Sequence, residues 1–72
     1  MRETYQGLAD AIVLQAVKDY RKVLKYLKER PRNMQAKIGK AEIEQFFYSK
    51  WFSTLTQIDP NTLITKLEEE LQ

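Results

Sequence analysis

The side chains able to act on another molecule are concentrated in one stretch. Lys18, Arg21, Lys22, Lys25, Lys28, Arg30, Arg32, Lys37 and Lys40 make up nine of the twelve basic residues, and only Asp19 and Glu29 oppose them there. Beyond residue 40 the balance reverses, with Glu42, Glu44, Asp59, Glu68, Glu69 and Glu70 set against Lys50 and Lys66. The formal net charge of +2 therefore hides a dipolar chain with a cationic stripe and an acidic tail. A stripe of this kind attracts polyanions. Lys18, Arg21, Lys22, Lys25 and Lys28, with Arg30 and Arg32 beyond them, could track the phosphates of a nucleic acid. Tyr26 lies at the edge of the row, where a ring could stack on a base. The competing reading is a solvated lysine-rich helix face.

Other chemistry is poorly provided for. The chain has no histidine and no cysteine. Ser-His and Cys-His nucleophilic sites, disulfides and the usual zinc ligands are excluded together. Ser49 and Lys50 are neighbours and diverge on a helix, so the lysine does not activate the serine. Glu42 and Glu44 are two apart on a helix and point in different directions, unlike a carboxylate pair across a cleft. Gly7 and Gly39 are the only glycines, so no phosphate-cradling loop exists. A non-catalytic protein is expected, with no cofactor and no metal site.

The elements that must position these groups are helices. Residues 5–29 read as one long helix, because Ala9, Val13, Ala16, Tyr20, Val23, Leu24 and Leu27 recur at three- and four-residue steps. The five cations from Lys18 to Lys28 fall within about 120° of arc on the opposite face, at ~100° per residue. Pro31 ends the helix, since proline disfavours helical geometry in the residue before it. Residues 30–40 read as a basic connector in which Asn33 could cap one helical turn. Gly39 weighs against a long helix through this point. A second helix is expected over 41–56, with Ser49 placed to break it by capping a new short helix. The last, over 60–71, starts at Asp59 as N-cap with Pro60 in the first helical position. Three carboxylates at its C-terminal end, Glu68 to Glu70, oppose the macrodipole. The basic face of the first helix is the obvious compensating partner.

A chain of 72 residues makes one domain with a small core. Such domains commonly gain stability from self-association. The first half of the long helix is apolar nearly all round. We expect a homodimer there, through Ala11, Ile12, Leu14 and Val17; the alternative is that the short helices of the same chain wrap over this half. Five of the eight aromatic residues crowd into positions 46–52. Ile43, Phe47, Trp51 and Leu55 are spaced by four and read as core. Phe46, Tyr48 and Phe52 widen the apolar face around the helix, leaving Tyr48 or Phe52 as a surface anchor for a protein partner. Ala36 and Gly39 resemble the alanine and glycine of a helix-turn-helix, but the spacing is one residue short. The helix after them offers carboxylates and rings, with little that reads base edges. Any nucleic-acid binding would be phosphate-led.

The segments Ala11–Arg21 (AIVLQAVKDYR) and Phe46–Thr56 (FFYSKWFSTLT), with Ile58-Asp59 and Leu63-Ile64 after them, resemble a group of short proteins encoded in Gram-positive phages, prophages and mobile elements. The likeness spans about Ala9 to Leu67. It implies an accessory protein of a mobile element in the bacterial cytoplasm and carries over no functional residue. No apolar run reaches the ~18–20 residues of a membrane span, and no signal peptide is evident. The expectation is an all-α bundle, a long N-terminal helix packed with two or three shorter ones. Its leading function is cytoplasmic nucleic-acid binding or regulation through the basic face. The alternative is an adaptor or inhibitor, acting on a host or phage protein through the aromatic surface.

Overall fold

The structure, a computed structural model, describes residues 5–71. Four helices follow one another: α1 (Tyr5–Glu29), α2 (Met34–Phe47), α3 (Lys50–Leu55) and α4 (Pro60–Glu69). Among the described residues there is no strand, and no helix is long and apolar enough to cross a membrane. The molecule measures 43 × 24 × 22 Å, its long axis set by the 25 residues of α1. The other three helices pack against α1, as expected of an all-α bundle with a long N-terminal helix.

Each helix start after α1 is fixed by a side chain that accepts a backbone N–H otherwise without an intrahelical partner. Asn33 accepts from Ala36, Ser49 from Phe52 and Asp59 from Thr62, with Pro60 opening α4. One boundary departs from expectation. The basic connector is shorter than residues 30–40, because α2 begins at Met34 and runs straight through Gly39. Glycine costs a helix interior about 1 kcal/mol, and packing overrides it. A Cβ at Gly39 would meet Val23 at 3.7 Å, so α1 and α2 lie close here. The break expected at Ser49 is a full one over Tyr48 and Ser49, which makes α2 and α3 separate helices.

The core is a stripe of α1 (Ala9, Val13, Val17, Tyr20, Leu24) closed by Phe47, Phe52, Leu55, Ile64 and Leu67. Phe47 and Phe52 lie at the centre, each 1% exposed, with ring centroids 5.4 Å apart. Phe47 also meets Tyr20 edge-on at 5.5 Å. The break at Ser49 shifts the helical phase. Phe52 turns inward and Trp51 outward, to 59% exposure. The expected face Ile43-Phe47-Trp51-Leu55 is corrected at its third member. Phe52 is likewise removed from the candidate partner surface, because its ring fills the core.

The expected dimer patch is corrected too. Val17 is 9% exposed and belongs to the core, so the short helices cover this half of α1 from within the same chain. Ile12 packs partly buried against the core, while Ala11 and Leu14 are exposed. At ~100° per residue Ile12 points at least about 100° away from the other three, so the four make no single surface, and only Ala11 and Leu14, three residues apart, remain exposed side by side.

One polar group joins α1 to α2. The Tyr20 hydroxyl and the Lys40 ammonium both donate to Glu44 Oε2, each at 2.6 Å. Burial alone would raise the Glu44 carboxyl, but the hydrogen bonds from Lys40 and Tyr20 outweigh it and hold it below the usual range. Burial, with the bond to Glu44, pushes the Tyr20 phenol far up, so it stays a donor. A carboxyl lowered in the folded state stabilises the fold above its unfolded pKa of about 4.3, and that stability fades as pH falls through the folded value. Urea unfolding of the wild type should therefore lose stability as pH drops below about 4. Glu44→Gln should flatten part of that acid limb; an unchanged limb would remove Glu44 from the account.

Candidate nucleic-acid interface

The cations of α1 divide into two sets according to what stands beside them. Arg21 and Lys28 lie where the end of α4 comes alongside. Arg21 donates through Nε and Nη2 to the two carboxylate oxygens of Glu70, at 2.9 and 3.1 Å. The hydrogen-bonded guanidinium holds the Glu70 carboxyl below its ordinary range. Lys28 Nζ donates to the Leu71 carbonyl at 2.6 Å. That bond occupies a carbonyl near the α4 terminus and sets a positive charge against the negative end of its dipole. Of the three tail carboxylates, Glu70 is thus compensated by the basic face of the long helix, while Glu68 and Glu69 are in neither ion pair among the described residues.

Lys18, Lys22 and Lys25 form the second set. All three are exposed, and neither ion pair among the described residues involves them. Carboxylates lie close in sequence, Asp19 three residues before Lys22 and Glu29 four after Lys25. Neither pairs with them, and Asp19 takes a hydrogen bond from Gln15 instead. Like charges three and four apart on a helix repel by about 0.2–0.5 kcal/mol per pair. The sequence tolerates this repulsion along two turns. Lys18 and Lys22 are offset by about 6 Å along the axis, and Lys18 and Lys25 by about 10 Å. The row as a whole spans about three phosphate steps of a strand, which advances about 3.4 Å per phosphate.

The turn between α1 and α2 continues the positive surface. Arg30, Arg32 and Lys37 are exposed, and the Arg30 guanidinium lies over the Tyr26 ring at 5.2 Å from its centroid. Tyr26 is 40% exposed. Its hydroxyl also accepts from Asn33, at the long distance of 3.5 Å. The structure therefore leaves Lys18, Lys22, Lys25, Arg30 and Arg32 exposed and outside the ion pairs among the described residues, and diverts Arg21 and Lys28 to the tail.

Of the aromatic partner surface, Tyr48 remains, 56% exposed, with its hydroxyl donating to Asn61. Trp51 replaces Phe52 as the large exposed ring beside it in the chain. Sequence spacing missed Trp51 because it extended one helical phase across Ser49; the signal was present in the capping serine itself. The chain matches no family model, no curated protein and no solved structure.

Proposed function

We propose that this is a small, non-catalytic binding protein of the cytoplasm that holds nucleic acid by its phosphates along the outer face of α1. The observation that carries the reading is the row Lys18, Lys22 and Lys25, exposed and left without acidic partners while carboxylates stand within a helical turn. Contacts of this kind position a backbone and carry no base readout. Affinity for any duplex should therefore depend on salt far more than on sequence, and a labelled duplex titrated at several salt concentrations tests it.

The tail modulates that surface. Glu70 and the Leu71 carbonyl occupy two cations that a phosphate would otherwise meet. Changing Glu68, Glu69 and Glu70 together to glutamine should tighten duplex binding severalfold at low salt. The salt slope should steepen by about one unit for Arg21, the cation this change releases, while Lys28 keeps the Leu71 carbonyl. An unchanged affinity would mean that phosphates already displace the tail at no cost.

The exposed rings of Tyr48 and Trp51 favour a second reading, a protein adaptor acting through this aromatic surface. Such an interface would be nearly indifferent to salt, so the same titration separates the two.

A further inference from the structure

The lysine row of α1 encloses a shallow pocket. Lys22, Lys25, Tyr26 and Glu29 line it, around a volume of about 270 Å³. At ~100° per residue these four positions fall within about 100° of arc, so they form one strip along the helix. Tyr26 supplies the ring of the strip and is 40% exposed. That ring is held from the turn between α1 and α2. The Arg30 guanidinium lies over it at 5.2 Å from the centroid, and Asn33 donates to its hydroxyl at 3.5 Å. Neither Arg30 nor Asn33 lines the pocket, so both contacts leave its wall open. Glu29 is exposed and belongs to neither ion pair among the described residues. A carboxylate within a row that meets phosphates is unfavourable unless the ligand brings it a donor.

We propose that this pocket takes an unpaired guanine of a single-stranded nucleic acid, whose phosphates lie on Lys22 and Lys25. The assignment rests on the phosphate-holding role of this face of α1 and adds a base to it. Every base has a flat π-face that stacks on an aromatic side chain, and Tyr26 offers one. Guanine differs from the other bases along its Watson–Crick edge. Its N1–H and N2–H donors stand side by side there, and a carboxylate accepts both at once. Adenine and cytosine present one amine beside an acceptor that Glu29 repels. Thymine and uracil present a single N–H between two carbonyls. In a duplex the Watson–Crick edge is already paired, so Glu29 cannot take both donors and only the phosphate contacts remain. Base preference is therefore a property of single strands, while duplexes stay indifferent to sequence.

Fluorescence anisotropy of the full chain with labelled strands of equal length tests it. One strand is all thymine, the other carries a single central guanine, and each is also annealed to its complement. At ~50 mM salt the guanine strand should bind at least about fivefold more tightly than the all-thymine strand, and annealing should erase the difference. Glu29→Ala should remove the preference while tightening the all-thymine strand, because a negative charge leaves the row. Tyr26→Ala should weaken both single strands by about fivefold or more through lost stacking, and Tyr26→Phe should restore most of that loss. Equal binding of the two single strands overturns the pocket and leaves the phosphate reading standing. A guanine preference that survives Glu29→Ala overturns it too, as does a Tyr26→Phe variant as weak as Tyr26→Ala. No binding of any strand or duplex at ~50 mM salt overturns the pocket and the phosphate reading together.

Discussion

Phe52→Ala is expected to lower the stability of this protein by about 3–5 kcal/mol, the usual cost of emptying a buried phenylalanine site. That is most of the stability available to a domain this small, for which about 5 kcal/mol is ordinary. The ring is 1% exposed and is held between Phe46 and Phe47, at centroid distances of 5.6 and 5.4 Å. No neighbouring side chain can collapse into the space without dismantling that cluster. Its sequence neighbour should behave differently. Trp51→Ala removes an exposed ring and one edge contact with Phe46, worth about 1 kcal/mol. Urea unfolding at two protein concentrations measures both variants. A Phe52→Ala loss below about 1 kcal/mol would mean that the helix is continuous through Ser49.

This contrast marks where the sequence could be read and where it could not. Local, short-range signals were legible. Asn33, Ser49 and Asp59 are capping residues by type and position, and each caps in the structure; Pro31 limits α1 as its backbone geometry requires. Gly39 was misleading, because helix propensity is a weak preference that the packing of α2 along α1 overrides. The aromatic segment was misread for a geometric reason. Spacing by four places Phe47, Trp51 and Leu55 on one face only if the helix is unbroken. Two residues outside the helix, Tyr48 and Ser49, exchange Trp51 for Phe52. Val17 was assigned to an interface because sequence periodicity shows that a side is apolar without showing which element covers it. In the cationic stripe, residue type was legible but partnership was not. Only the approach of the α4 end distinguishes Arg21 and Lys28, which are occupied, from Lys18, Lys22 and Lys25, which are not.

The second large effect follows from that distinction. Changing Lys18, Lys22 and Lys25 together to glutamine should abolish measurable duplex binding at ~150 mM salt and reduce the salt slope by about three units. The loss should be uniform across duplex sequences, because phosphate contacts carry no base information. The fold should survive, since all three side chains are exposed and their removal relieves repulsion along α1. Circular dichroism of the variant checks that point independently. Arg21→Gln should cost less than Lys22→Gln, because Arg21 already has a partner in Glu70.

Salt titration of a labelled duplex with the wild-type protein tests the central claim most directly. With Lys18, Lys22, Lys25, Arg30 and Arg32 as contacts, the slope of log affinity against log salt should approach about −4.5, at roughly −0.9 per phosphate. Binding evident at ~50 mM should weaken by about three orders of magnitude by ~300 mM. No binding at ~50 mM, from the wild type or from the variant with Glu68, Glu69 and Glu70 changed to glutamine, would leave the lysine row an ordinary solvated face and contradict the proposed function.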